Sequence, residues 1–286
     1  MTIDGANRAL DDPDAGLLAF SAVTDLTIER CTVSGSSGTA LALSRVSGRV
    51  TGCRINGAAG SGLAVIEAVG LSISGNEITD CGEAGVSLTR WTPGEDGSLV
   101  SDNRIERIAS RTGAGGRAGS GVLLSGAGAV IVSGNRIADC AAGAIHASAS
   151  PGLQLVGNSC LRSGGTAIEV AGAGGALVSG NVIDGAAAGI RLSGGEDRPA
   201  VCQGNVVRAL APAKSRRRAT ASASRWPPGQ ASPATSSRTR RSTASMPAAP
   251  QGPTASSPRP TCCAAGGSAS PSRSPRVPAG RCCRAT

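Results

Sequence analysis

Along much of the chain, apolar side chains recur in pairs separated by one residue: Leu41 and Leu43, Leu63 and Val65, Val86 and Leu88, Val122 and Leu124, Ile145 and Ala147, Ile168 and Val170, Ile190 and Leu192. Spacing by two, with a small or polar residue between, is the period of a strand that buries one face. A second aliphatic pattern is tied to a marker, an Asn that usually follows Gly. It falls at Asn76, Asn103, Asn135, Asn158, Asn181 and Asn205, and two earlier units carry Cys31 and Cys53 in its place. Three residues before the marker stand Ile28, Val50, Ile73, Val100, Val132, Leu155, Val178 and Cys202. Two residues after it stand Val33, Ile55, Ile78, Ile105, Ile137, Cys160, Ile183 and Val207. Each unit therefore predicts two or three short strands. None has the roughly ten or more residues of 3.6-residue periodicity that a helix needs.

The markers are 22, 23, 27, 32, 23, 23 and 24 residues apart. A nearly fixed period of this length is the signature of a solenoid. Because the units are strands and Gly-rich corners, the predicted fold is all-β: a right-handed parallel β-helix. With coils ~4.8 Å apart, about eight coils make a rod roughly 40 Å long. The Gly-Asn pair has a structural explanation in such a fold. Gly accepts unusual backbone angles at a corner, and Asn satisfies turn amides, so stacked Asn side chains form a ladder. A leucine-rich repeat has a similar period, and "LSISGNEI" fits its pattern. The segment after the marker, however, is strand-like and Gly-rich where that fold places a helix or further Leu positions.

Composition divides the chain. Residues 1–210 hold 15 Arg, no Lys and all 19 acidic residues, a net of 15 − 19 = −4, while residues 211–286 hold 13 basic residues and no acid. That tail has 12 of the 16 Pro and neither Ile nor Leu. It cannot bury enough apolar surface to offset chain entropy, so disorder is expected. Its composition and abrupt start are also what out-of-frame translation of GC-rich coding sequence produces. The predicted organisation is a partial first coil at 1–20, a β-helix at 21–210 and a disordered basic tail at 211–286. Only the tail offers charge for nucleic acid, and without interleaved aromatic residues it carries no specific binding mode. No run of about eighteen apolar residues marks a membrane span. The start, "MTIDGANRALDDPDAG", lacks the basic, apolar and small-residue order of an export signal, which on its own points to the cytoplasm.

The units "VSGNRIADCAAGAIHASASPGLQLVGNSC" and "LVSGNVIDGAAAGIRL", with "RWTPGEDGSLVSDNRIERI", resemble an uncharacterised bacterial family of twin-arginine-translocated repeat proteins with Cys in the repeats. The similarity covers roughly residues 1–210. It implies export of a folded right-handed β-helix to the periplasm or beyond, with no assigned activity. The twin-arginine signal itself is missing here.

Polysaccharide lyases and glycoside hydrolases often use this architecture, an analogy of fold alone. The clustered Asp with Gly-His-Gly of one hydrolase class is absent, as are a calcium-binding Asp set, a Gly-x-Ser-x-Gly elbow and a phosphate loop. The chain has no Tyr, which removes the Tyr-dependent alginate chemistry. What remains is positional. The residue between the paired apolar positions points outward, reading Ala42, Ala64, Ser87, Leu123, His146, Glu169 and Arg191 along the rod. The last three are the catalytic candidates, since Glu beside the single His favours the imidazolium and suits acid–base chemistry. The alternative is a solvated charged face. Two insertions, at 89–98 and 106–120, break the period and can wall a groove. The first offers Trp91, Glu95 and Asp96 for sugar stacking and hydroxyl recognition.

The column four residues before the marker, Thr27, Arg49, Ser72, Leu99, Ile131, Gln154, Leu177 and Val201, should face outward. Its apolar second half suggests a covering segment or partner. Cys160 and Cys202 occupy inward positions and read as buried thiols. Cys81 and Cys140 lie two coils apart, about 10 Å, too far for a disulfide. Cys31 and Cys53 share a corner on adjacent coils, where a disulfide is geometrically allowed. The tail pairs Cys262-Cys263 and Cys282-Cys283 have poor zinc spacing, so no metal and no cofactor is expected. The sequence reading is a module that binds a polysaccharide or other surface polymer, or a structural one. The alternative is a lyase or hydrolase working in a lateral groove.

Overall fold

The computed structural model describes residues 1–9, 16–111, 118–194 and 198–211. The tail expected to be disordered lies outside these residues except for Ala211. The chain divides into Met1–Ser222 and Ala223–Thr286, and every described residue belongs to the first unit. Those residues form an all-β parallel solenoid of about eight turns, with no helix among them.

One sheet stacks eight strands, from Leu26–Glu29 to Val201–Gln203, and each ends two residues before its marker. A fifteen-stranded sheet supplies the other two sides. One of its columns starts just past the marker, as in Arg54–Ala58 and Glu77–Thr79; the other carries the paired apolar positions, as in Leu41–Ser44 and Leu63–Ile66. The two columns join where Ser159–Ala171 and Val182–Ser193 run continuously past the corner. At the amino-terminal end, Thr2–Asp4 pairs with Thr32–Ser34 and Leu18–Ser21 with Leu41–Ser44.

The register is that of the repeat. Val33, Ile55, Ile78, Ile105, Ile137, Cys160, Ile183 and Val207 pair in succession, and all but Val207 are buried. Ile28, Val50, Ile73, Val100, Val132, Leu155, Val178 and Cys202 do the same on the facing sheet. Full burial of an aliphatic side chain contributes about 1.5–3 kcal/mol, so these stacks supply a core without aromatic rings. The 32-residue interval between Asn103 and Asn135 leaves this pairing intact, because its extra residues fall in the sequence between the strands Arg104–Ile108 and Ser120–Gly128. Cys202 departs from expectation: it is exposed, because it sits on the last described coil with no described strand stacked beyond it. In the outward column, Leu99, Ile131 and Leu177 are half-covered and Val201 is exposed.

Hydrogen bonds link the six marker Asn residues in sequence. The Oδ1 of Asn103 accepts both the backbone N–H and the Nδ2–H of Asn76, each at 2.9 Å. The same double contact joins Asn103 to Asn135, Asn135 to Asn158, Asn158 to Asn181 and Asn181 to Asn205, at 2.9–3.1 Å. Each Nδ2 also donates to a backbone carbonyl of the preceding coil, as from Asn76 to Val50 at 3.0 Å and from Asn135 to Val100 at 2.8 Å. Cys53 begins the line: its N–H donates to Asn76 Oδ1 at 2.9 Å, and its thiol approaches the Ile28 carbonyl at 3.6 Å. The residue before the marker turns the corner in the left-handed region, with φ of 62° at Gly75 and 65° at Gly134. Asp102 (55°) and Arg30 (49°) accept the same angles, at a cost of roughly 1–2 kcal/mol each.

Replacing Asn135 with Ala removes the acceptor of two buried N–H groups and the donor to Val100. Buried polar groups left without partners cost about 1–3 kcal/mol each, so a loss of about 2–4 kcal/mol is expected. Asn205→Ala, at the partly exposed end, should cost about 1 kcal/mol because water can replace the lost contacts. Urea unfolding of the full chain compares the two, and equal losses would show that burial of the ladder is not what matters.

Candidate functional site

The residues between the paired apolar positions form one column across the long sheet. Ala19, Ala42, Ala64, Ser87, Leu123, His146, Glu169 and Arg191 pair in unbroken register. Their flanking neighbours, such as Ile145 and Ala147 or Ile168 and Val170, point into the core. Strand alternation therefore turns the middle residue of each triplet outward. The first half of the column is small, Leu123 follows, and the last three residues are ionisable. His146 Nδ1 lies 3.4 Å from Glu169 Oε2, and Arg191 Nη1 lies 3.7 Å from Glu169 Oε1. Side-chain exposure rises along the three, from 12% at His146 through 29% at Glu169 to 68% at Arg191.

His146 and Glu169 line a pocket of about 460 Å³ together with Ser110, Ser120, Gly143 and Thr166. Ser110, Ala118 and Ser120, all within the insertion at 106–120, supply part of this lining. The register shift between Ser163 and Thr166 brings Gly165 and Thr166 to the opposite side. Arg191 stands just beyond the lining and reaches it through Glu169. Glu169 is the one carboxylate among the described lining residues.

The first insertion builds a different feature. The strand Ala84–Glu95 pairs with Ser120–Gly128, but its register shifts between Thr89 and Gly94, and the extra residues bulge outward. Trp91 sits on this bulge, 77% exposed, with its backbone N–H donating to Glu67 Oε1 at 2.7 Å. Arg90 folds back beneath, 3.0 Å from Glu67 Oε2, and donates from Nη1 to the Ala68 carbonyl at 3.1 Å. Trp91 lies four residues along its strand from Ser87, about 13 Å at an extended rise, on the side of the rod that carries the His146 column. Glu95 is exposed beside it. Asp96, grouped with them from the sequence, turns inward instead and is buried. Its Oδ1 accepts the Ser98 N–H at 3.2 Å, and its Oδ2 has no hydrogen-bond partner among the described residues. Burial pushes the Asp96 carboxyl above the usual carboxylate range, opposed by the Ser98 hydrogen bonds and the charge of Arg90. Asp96 is therefore a buried residue at the base of the bulge, while Trp91 and Glu95 are both exposed on it.

The side of the rod just past the markers holds a charged lattice that the sequence reading overlooked. Arg107 grips Asp80 with two hydrogen bonds of 2.7 Å, and Arg162 grips Asp139 with two of 2.6 Å. Both carboxyls are held below the usual range, chiefly by those hydrogen bonds. Arg54 pairs with Glu77 at 2.9 Å, Glu106 receives Arg104 at 3.0 Å and Arg136 at 3.4 Å, and Arg208 pairs with Asp184 at 3.0 Å. The signal was present: four residues past the marker, successive coils carry Asp80, Arg107, Asp139 and Arg162. Each of these arginines is matched by a carboxylate, so this side is a self-paired surface. Arg191, held loosely at 3.7 Å, keeps more of its donors for a ligand.

A sequence model described as the right handed beta helix region matches residues 10–115 and again 95–210. Among solved structures, a double mutant of the periplasmic alginate epimerase AlgG is similar at 13% identity and a TM-score of 0.48, over 66% of this chain and 49% of that one. The A-module of the Azotobacter vinelandii mannuronan C-5 epimerase AlgE4 is similar at 11% identity and a TM-score of 0.38, over 65% of this chain and 64% of that one. The AlgE6 A-module is similar at 14% identity and a TM-score of 0.34, over 68% and 65%. The chain thus spans from about half to just under two thirds of the length of these structures. No curated protein matches the sequence.

Replacing Asp96 with Asn keeps the acceptor for Ser98 and removes a buried charge. Because burial raises the folded-state value above the 3.8 expected of a free carboxyl, the native state holds this proton more tightly than the unfolded chain does. The charge therefore costs stability once it forms. The Asn variant should match the parent at low pH, gain on it as pH rises from about 3.8 through the raised value, and hold that gain at neutral pH. Urea midpoints measured from pH 3 to pH 8 check this, and a gain independent of pH would contradict it.

Proposed function

Because this chain belongs to the family of right-handed β-helix proteins, we propose that it binds an extended polysaccharide along the side bearing Trp91 and the His146–Glu169–Arg191 column. The observation that carries the reading is the 460 Å³ pocket with the His146–Glu169 pair inside it. A sugar polymer presents many hydroxyl groups along its length and apolar ring faces. Glu169 accepts from hydroxyls, the Arg191 guanidinium donates to them, and the Thr166 hydroxyl does both. Trp91 offers an exposed ring for stacking. Coils repeating at ~4.8 Å give a linear ligand repeated contacts in one direction.

His146, mostly covered, orients Glu169 and offers little surface to the polymer. The ordinary two-carboxylate hydrolase places its acid and base roughly 5–9.5 Å apart, and the described lining supplies one carboxylate. If turnover is found, the His–Glu pair beside Arg191 favours a lyase over a hydrolase: a base to take a proton and a cation to steady a substrate carboxylate. The repeats' resemblance to exported proteins supports a periplasmic or extracellular setting for this binding. The self-paired arginines and the net −4 of residues 1–210 argue against nucleic acid as the ligand of the rod.

A glycan array covering neutral and uronic polysaccharides, followed by mass analysis of any released fragments, tests the proposal. Binding without fragments is expected. Trp91→Ala or Arg191→Ala should weaken binding about tenfold, the equivalent of ~1.4 kcal/mol, and His146→Ala should leave it within a few-fold. Fragments lost with His146→Ala would establish the lyase reading, and failure to bind any glycan would leave the rod a structural element.

A further inference from the structure

The two coils that lack the marker Asn carry Cys31 and Cys53 in its place, and the geometry of that corner says what the pair can do. Thr32 pairs with Arg54, and Glu29 with Thr51, so the two cysteines occupy equivalent corners one coil apart. The Arg54 N–H donates to the Cys31 carbonyl at 2.8 Å, which closes the corner between them. Coil spacing of ~4.8 Å falls inside the roughly 4.4–6.8 Å Cα separation a disulfide needs. At the equivalent corner in later coils, neighbouring marker side chains are in direct hydrogen-bond contact. The two thiols hold shallow contacts, Cys31 with the Glu29 carbonyl at 3.3 Å and Cys53 with the Thr51 carbonyl at 3.5 Å. Cys31 is partly exposed, whereas Cys53 is buried beneath it. A surface pocket of about 270 Å³ opens onto both, lined also by Arg30, Thr32, Arg54 and Glu77.

The remaining described cysteines differ. Burial pushes the thiols of Cys81, Cys140 and Cys160 up to about 12, which leaves them inert, and Cys202 is exposed, far along the rod. Among the described cysteines, only Cys31 and Cys53 combine a partly exposed thiol, a covered thiol one coil away and a pocket that both line.

We propose that Cys31 and Cys53 form a thiol–disulfide exchange site that takes small anionic disulfides, with Cys31 as the nucleophile and Cys53 as the resolving thiol. Cys31 gives up its proton, and its thiolate attacks one sulfur of the small disulfide. A Cys31 mixed disulfide forms, the original S–S bond breaks, and one thiolate leaves and takes the proton. Cys53 then attacks the Cys31 sulfur, forming the Cys31–Cys53 bond and releasing the second small thiol with the Cys53 proton. The protein dithiol is oxidised and the small disulfide reduced to two thiols, so atoms and electrons balance. Burial raises the Cys53 thiol above its ordinary value, which suits a group that waits for the mixed disulfide. Arg30 and the Glu77-paired Arg54 put positive charge at the pocket's mouth, where it attracts a carboxylate-bearing disulfide.

The test incubates the full folded chain with glutathione disulfide and maps peptides without reduction. The parent should yield a Cys31–Cys53 linked peptide and release two glutathiones for each link formed. Cys53→Asn, which installs the residue the later coils use, should retain the fold by circular dichroism and hold one glutathione on Cys31. Cys31→Asn should lose both the link and the adduct. Absence of the link in the parent, or a folded Cys53→Asn chain that reacts at Cys202 and not at Cys31, would overturn the proposal.

Discussion

The rod depends on keeping a column of buried amides satisfied. Each Asn corner buries a side chain that would cost free energy without partners, and the partner is the equivalent side chain one coil away. That arrangement sets the height of every coil to hydrogen-bond precision. The aliphatic stacks alone would not, since Val, Ile and Leu tolerate sliding along one another. Ladder and core constrain each other: the strand ending two residues before an Asn and the Ile two residues after it are fixed once the Asn is placed. The insertions are tolerated for the same reason, because the marker resets the register after each departure.

Register at the corner becomes geometry on the surface. Outward residues one coil apart meet whether or not a ligand exists, so each lateral column is a one-dimensional array whose character depends on which residues fill it. On the side past the markers, Asp and Arg alternate and neutralise one another in tight pairs. Between the paired apolar positions, Ala, Ser and Leu give way to His146, Glu169 and Arg191, whose contacts of 3.4 and 3.7 Å are looser and whose exposure rises toward Arg191. A pocket lies on this second side, where Ser110, Ala118 and Ser120 add to its lining. The same scaffold thus carries a closed electrostatic lattice on one side and an open polar array on another.

Much of the fold was readable in the sequence because its determinants repeat. Alternation at Leu63 and Val65 identifies a strand, and recurrence at Val86 and Leu88 or Val122 and Leu124 identifies its neighbours. The outward column of His146, Glu169 and Arg191 follows from the same counting. Features without repetition were harder to read. Asp96 sits in an insertion with no counterpart in other coils, so nothing in the period shows that its backbone turns inward. Cys202 obeys the repeat, but burial also needs a coil on either side, a property of position along the rod and not of pattern. The Asp80–Arg107 and Asp139–Arg162 pairs were periodic yet passed over, because their position lies past the strand's alternation, on residues with φ of 50–58°. Thr166 and Ser120 join the pocket only through a register shift and an insertion.

The amide ladder also has a direction. From Asn103 to Asn205, each Oδ1 accepts two N–H groups from the coil before it, a role in which a cysteine sulfur is only a weak acceptor. Cys31 and Cys53 stand first in the line, where the fewest upstream amides call on them. A duplicated Asn-bearing unit can lengthen the rod at any interior point, whereas a Cys-bearing unit copied into the middle would strand the amides of its upstream neighbour. Growth by internal duplication is therefore asymmetric: Asn-bearing units can multiply freely, while Cys-bearing units cannot be copied among them without stranding amides.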